Sequence, residues 1–443
     1  MKETSKKAIW AYIGLLFATF ITEFVICGSG LFTYSAMTEF DSLSILGLAF
    51  TFESIARCVM LPVSGKIGDR FGRKKTFIIG MSLYAVSSAI CALSQGGAMF
   101  IAGRALMGLS WGIFMVNMLV MIADIFGTDK SPKYAGFYQS VLLLAMVIAA
   151  PVCGVIIDNI GWRFEFWIAV PFSVLAAILV AAFMPDHQEK KAVPMDLLGI
   201  VLLTVALAPF SLAMSWGGST YAWNSPVIIG LLATCIVAVA ILIPVQKKAA
   251  DPIIPFKLFN NRSYMMMMGM AALFSLFQAS LNYLPTYLQA ILGKTATVSS
   301  FITVPGVIIS VILASILGSI IQNKPRFKGM TAIFTFGTIA CGIVFFFVGS
   351  TESFILLCVA ATIIGVMNSF LQVAPYTYPY VAIPEEDMSA SLAFITFSTV
   401  VANTLGTAIF SAILNASWNM LFKSTLIVAL LMLPCWLAFK DKK

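Results

Sequence analysis

Charge is what this sequence has least of. Only 10% of its 443 residues are Asp, Glu, Lys or Arg and 60% are hydrophobic, against about 25% and about 45–50% in an ordinary soluble domain. No soluble core hides that much apolar surface, so a soluble enzyme, a secreted disulfide scaffold and a nucleic-acid binder are all excluded. Histidine is nearly missing: the one example, His187, stands between Asp186 and Lys190 in a polar stretch and reads as a solvated side chain. The eight cysteines (Cys27, Cys58, Cys91, Cys153, Cys235, Cys341, Cys358, Cys435) all fall within apolar runs and lack disulfide or metal-ligand spacing. They read as reduced, packed thiols, and neither a metal nor a cofactor is expected.

What the sequence has instead is long apolar runs. They lie near 9–32, 45–63, 76–93, 99–126, 134–157, 164–184, 197–216, 227–245, 264–292, 301–321, 330–348, 353–376, 388–414 and 421–439, each long enough for a membrane helix of about 20 residues. The first follows Lys2, Lys6 and Lys7 but is too long for the 7–15-residue core of a cleavable signal, so it reads as a retained span. Cations settle in alternate breaks: 22 of the 27 Lys and Arg occupy the two tails and the breaks at 64–76, 127–133, 185–195, 246–262 and 322–329. By the positive-inside rule both termini are cytoplasmic. The alternation needs 197–245 to cross twice, which favours fourteen helices, although twelve would leave the termini on the same side.

A repeat is visible. The break holding Gly65, Asp69, Arg70, Gly72, Arg73, Lys74 and Lys75 has a worn copy in which Gly318, Gln322 and Arg326 fall at the Gly65, Asp69 and Arg73 positions. An all-α integral membrane protein follows, with an N-terminal six-helix lobe over 1–184, a linker with an inserted two-helix hairpin over 185–262, and a C-terminal six-helix lobe over 263–443. Parallel repeats of this kind place a substrate site near the bilayer midplane, where the lobes meet.

The Gly65–Lys75 segment resembles the signature loop between helices 2 and 3 of the major facilitator superfamily, G-x-L-a-D-r-x-G-r-r. Gly161, Trp162, Arg163, Phe164 and Phe166 resemble the G-W-R-W-x-F opening of helix 6 in its fourteen-helix drug:proton antiporter branch. Asp251, Pro252, Pro255, Leu258, Phe259 and Arg262 resemble that branch's D-P-l-l-P-l-r-L-F-r-n-r stretch, and Asp196 to Gly199 opens the extra hairpin. The resemblance covers nearly the whole chain and implies the major facilitator fold, alternating access and multidrug efflux. Gly65, Asp69, Arg70, Gly72 and Arg73, with Asp124 at the end of the fourth run, would form its gating network. Three departures stand out: Glu23 where the family usually has Asp, Met107 in the helix 4 pattern R-x-x-Q-G, and an eroded helix 5 pattern at Ala150, Pro151, Val152, Cys153, Gly154 and Val155 where antiporters carry G-P-x-x-G-G.

Glu23, Glu53, Arg57 and Arg104 sit deep in apolar runs, where a charge costs about 2.5–3.5 kcal/mol even on lenient insertion scales. Such groups are paired, cavity-facing and functional. Glu23 is expected to couple transport to protons, with Arg104 as partner and Glu53 as the alternative carboxylate; a fixed Glu23–Arg104 ion pair is the competing reading. Glu53 and Arg57, four apart, share a helical face, either as a self-neutralised pair or with Arg57 facing substrate. The remaining candidate substrate contacts are Asn117, then Gln278, Asn282 and Tyr283 in the ninth run, and Asn368, Gln372 and Tyr376 in the twelfth. Neutral polar and aromatic groups suit a bulky amphipathic molecule. Expected partners are therefore a small-molecule substrate, protons and the lipid bilayer of the cell membrane, with the chain monomeric. Export by antiport and symport of an amphipathic organic anion both remain open.

Overall fold

A computed structural model of the chain describes every residue except 1, 116, 128–130, 186–195, 219, 250–255, 324–326, 352, 385–387, 415 and 441–443. The side chains of a further set, Gly65 and Asp69 among them, lie outside the described residues as well. So do His187, the 185–195 loop beyond Pro185, the Asp251–Pro255 part of the Asp251–Arg262 motif, and Lys324 and Arg326 of the worn repeat.

The helices run α1 (Lys2–Glu39), α2 (Leu46–Phe71), α3 (Arg73–Ala92), α4 (Gly97–Met115), α5 (Met118–Phe126), α6 (Ser131–Asn159), α7 (Arg163–Phe183), α8 (Leu197–Trp216), α9 (Pro226–Lys248), α10 (Arg262–Gln278), α11 (Leu284–Ala290), α12 (Ala296–Phe301), α13 (Val304–Asn323), α14 (Phe327–Thr351), α15 (Phe354–Thr377), α16 (Pro379–Ala382), α17 (Met388–Leu414), α18 (Trp418–Leu430) and α19 (Met432–Ala438). Among the described residues there is no strand. Among the described residues thirteen segments are long and apolar enough to cross a membrane, and they coincide with thirteen of the fourteen runs. The fourteenth run lies in α6, whose described apolar stretch, Leu144–Asn159, is shorter.

Local chemistry explains where several helices start. Asp196 accepts from the Gly199 N–H at 2.8 Å and opens α8, Ser225 caps α9 with Pro226 at its first position, and Asn261 caps α10 through the Tyr264 N–H at 3.0 Å. These are short side chains satisfying donors that a helix start leaves unpaired. Between α2 and α3 the turn is one residue, Gly72, at φ +96°, a conformation that costs a residue with a Cβ. Several runs break internally, the fourteenth at Leu431 between α18 and α19 among them. The fourth divides into α4 and α5 around Asn117. The ninth divides where a 3₁₀ turn over Ala279–Tyr283 separates α10 from α11, just ahead of Pro285, which cannot donate to a helical ladder.

The chain forms two compact units, 1–204 with 295–297, and 205–294 with 298–443. The boundary between these two units falls inside α8. Residues 295–297 join the first unit because Asp158 of α6 accepts from the Ala296 and Thr297 N–H groups at 3.1 and 2.8 Å. Within each unit the same pairings recur: α1 packs on α6 as α10 does on α17, α2 on α4 as α13 on α15, and α3 on α7 as α14 on α18. The repeat extends to single atoms. Lys74, the second residue of α3, donates to the Met184 carbonyl just past α7 at 2.7 Å. Lys328, the second residue of α14, donates to the Phe439 carbonyl just past α19 at 2.7 Å. Each cation satisfies a carbonyl that a helix end leaves open. Lys328 is therefore the counterpart of Lys74, one place off the register in which Arg326 matches Arg73.

The Gly161–Phe166 motif is a clamp at one end of the first unit. Arg163 donates to both oxygens of Glu39 at 2.6 and 2.7 Å, and Trp162 Nε1 donates to the same carboxylate at 2.7 Å. Phe40, Phe100 and Phe166 pack edge-on against the Trp162 ring, so the ends of α1, α4 and α7 are held together.

Candidate functional site

The deep charges of the first unit converge on Glu53. One carboxylate oxygen receives Arg57, one turn further along α2, and the other receives Arg104 of α4. Arg104 also donates to the Ser29 hydroxyl of α1 and lies over the Phe32 ring, 4.9 Å from its centroid. Arg57 lies over the Trp111 ring at 4.7 Å. Arg104 is 0% exposed and Glu53 only 7%, so each ion is bearable there only because the other is present. Tyr84 of α3 is buried in the field of the cluster's Glu53, Arg104 and Arg57.

Gly108 makes this contact possible. A Cβ built there would collide with the Glu53 carbonyl, and one at Gly112 would press on Met60. A small-xxx-small stripe of this type lets two membrane helices approach closely. It lies one turn from Arg104, so the guanidinium reaches across to α2. The Gly108–Gly112 spacing was legible in the sequence and is the signal that sequence reasoning passed over.

The expected Glu23–Arg104 pair does not form. Arg104 belongs to Glu53, because the α2–α4 approach at Gly108 brings that carboxylate nearer than anything on α1 except Ser29. Glu23 lies in the middle of α1, half-buried, with no hydrogen bond or ion pair to it among the described residues; the cation that acts on it electrostatically is Arg57. The helix is also longer than the first apolar run, reaching Glu39, so Glu23 stands about 24 Å from that end at 1.5 Å per residue.

At the other end of the first unit, Arg73 donates to both oxygens of Asp124 at 3.0 and 3.1 Å, tying the start of α3 to α5. Arg70 is exposed and stacks near Phe71. Asn117 does not face a cavity. It is 2% exposed and its amide donates to the Ser64 carbonyl of α2 at 3.1 Å, a structural bond across the α4–α5 break.

In the second unit, the α10 break sets out a row of polar groups. Gln278, at the last turn of α10, approaches Asn368 of α15 at 3.5 Å. Asn282, inside the 3₁₀ turn, donates to Thr407 of α17 at 3.3 Å. Asn368, Gln372 and Tyr376 follow at helical spacing on α15; Gln372 is exposed, and Tyr376 is half-buried within 3.5 Å of Thr396. Tyr283 departs from expectation: it is fully buried and its hydroxyl donates to the Thr407 carbonyl at 2.8 Å, so it holds α17 against the turn. Irregular backbone within a span is tolerated where it is buried in protein or lines a cavity.

Two bundles of apolar helices related by a repeat, the first carrying a buried charge network, define a multi-pass membrane protein. The chain belongs to the Major Facilitator Superfamily, whose family model matches residues 13–398. Multidrug transporter protein MdtP of Bacillus subtilis (strain 168) is 30% identical over 292 residues, covering 66% of this chain and 54% of the relative. Multidrug resistance protein 3 of the same organism is 32% identical over 274 residues, covering 62% and 53%. The chain thus spans about half the length of the curated relatives it matches. Among solved structures, nucleoside transporter NupG superposes with a TM-score of 0.70 at 10% identity, over 97% of this chain and 100% of that one. An auto inhibited POT family peptide transporter does so with 0.70 at 12%, over 98% of each. At such identities these two show the fold alone.

Proposed function

We propose that the chain is a cell-membrane exporter of hydrophobic or amphipathic small molecules, working as a monomer by drug:proton antiport with both termini cytoplasmic. The observation that carries this reading is Glu23: a carboxyl in mid-span, half-buried, without a hydrogen-bond or ion-pair partner among the described residues, and acted on electrostatically by Arg57 of the Glu53–Arg57–Arg104 network. A carboxyl committed to an ion pair cannot exchange its proton at low cost, whereas an uncommitted one beside a cation can. The names of the relatives support multidrug export.

In this cycle Glu23 takes a proton in one state and releases it in the other, while Arg57 feels the change. Gln278, Asn282, Asn368, Gln372 and Tyr376 offer substrate hydrogen bonds and an aromatic edge without demanding a particular shape. Arg73 and Asp124, with Gly65, Asp69, Arg70 and Gly72, form the cytoplasmic gate.

The test uses proteoliposomes with an imposed pH gradient of either sign and a panel of lipophilic cations and organic anions. Glu23→Gln should abolish accumulation driven by the pH gradient while leaving downhill exchange, because the amide keeps the shape and loses the proton. Undiminished gradient-driven accumulation in that variant would make Glu23 structural. Wild-type accumulation of organic anions in the direction of proton flow would replace export with symport.

A further inference from the structure

One deep acid has no place in the scheme above. Glu165 lies in the first turn of α7, where the family pattern G-W-R-W-x-F leaves the position open, and its sequence context of Trp162, Arg163 and Trp167 suggests an interface. It is instead 0% exposed. Its carboxyl is pressed against the α1 backbone at Gly28, where an added Cβ would overlap Oε1. The Cys153 thiol of α6 donates to Oε1 at 3.0 Å, and Oε2 is buried with no hydrogen-bond partner among the described residues. Besides the Cys153 thiol of α6, the groups that interact with it electrostatically are Cys27 of α1 and Arg104 of α4. On α3, Tyr84 and Cys91 lie in the field of Glu53 and Arg104.

Arg104 supplies the second half of the observation. Its Nη2 is used by Glu53 and Ser29, while Nε and Nη1 are buried with no hydrogen-bond partner among the described residues. Ser29 and Gly28 are consecutive on α1, and Arg104 reaches the first through Nη2 while Glu165 abuts the second through Oε1, so the guanidinium and the carboxyl, each with polar atoms to spare, lie beside adjacent residues of one helix. A carboxylate that is fully buried with only a thiol as partner cannot remain charged, whereas the neutral acid can. Charge counting agrees. Glu23, Glu53 and Glu165 against Arg57 and Arg104 leave one negative charge in excess when all are ionised, and one bound proton removes it.

We propose that Glu165 is a second proton-carrying carboxyl of the first unit, neutral while Glu53 holds Arg104 and the alternative carboxylate for Arg104 when Glu53 lets it go. On that exchange the Glu165 O–H bond breaks, its proton passes to water, and Arg104 turns from α2 toward α7. Its use in coupling rests on the antiport reading; its protonation rests on the site geometry alone.

Infrared difference spectra of the full chain in lipid nanodiscs, taken between acidic and alkaline buffer, test it. The wild type should show the carbonyl band of a protonated carboxyl, lost in Glu165→Gln and retained in Glu23→Gln; a band unchanged in Glu165→Gln overturns the proposal. In Glu53→Gln, Arg104 loses its carboxylate and should draw Glu165 into the ionised form, so the band should vanish, and its persistence would overturn the exchange. Should Glu165→Gln fail to fold, Cys153→Ala serves: losing the thiol donor should move the same band to higher frequency, and an unmoved band counts against the assignment. A wild type that builds no gradient-driven accumulation would sink antiport, and these spectra would still decide Glu165.

Discussion

Which carboxylate holds Arg104 has a measurable signature. In a Glu165→Gln background, where the guanidinium has no second carboxylate to turn to, Glu53→Gln leaves a fully buried cation with the Ser29 hydroxyl as its one remaining hydrogen-bond partner among the described residues. Stranding one member of a buried pair costs about 3–5 kcal/mol. For a unit of 150–250 residues each kcal/mol moves Tm by about 2–4 °C, so Glu53→Gln should lower the melting temperature of the first unit by roughly 6–20 °C. Adding Arg104→Met removes the stranded charge and should recover most of that loss. The same cycle run with Glu23→Gln should show a coupling to Arg104 within about 0.5 kcal/mol of zero, the limit for residues that share no partner. The readout is thermal unfolding of detergent-purified protein, followed by a thiol-reactive dye that reports exposure of the buried Cys58, Cys91 and Cys153. A Glu23–Arg104 coupling equal to or larger than the Glu53–Arg104 coupling would refute the assignment of Arg104 to Glu53.

Asp124→Asn should leave melting nearly unchanged, since its pair with Arg73 is a quarter exposed and such pairs contribute about 0–1 kcal/mol, yet transport should fall if the pair gates; the exchanged pair Arg73→Asp with Asp124→Arg should restore part of it, and loss of stability without loss of transport would assign the pair to folding alone. Gly72→Ala places a Cβ at φ +96° and should cost about 1–3 kcal/mol, read as a fall in Tm in the same dye assay, with an unchanged Tm showing that the α2–α3 turn can relax.

The sequence by itself determined the spans, because apolar length is a property of consecutive residues and needs no partner. It also determined the repeat and the family, through Gly65, Asp69, Gly72 and Arg73 at fixed spacing, and it marked Glu23, Glu53, Arg57 and Arg104 as deep, since depth follows from position along an apolar run. Partnership was another matter. Glu23 and Arg104 are both deep, but whether they meet depends on how close α4 comes to α2, and that is set by two glycines whose effect is felt only against Glu53 and Met60 of another helix. Asn117 and Tyr283 have the polarity of substrate contacts; only packing shows their donors spent on Ser64 and Thr407. Glu165 is the converse case: beside Trp162 and Arg163 it looks interfacial in the sequence, and only the approach of Gly28 and Cys153 from two other helices closes it off from water. Burial and pairing are relations between helices distant in sequence, so they were decided by the tertiary structure alone.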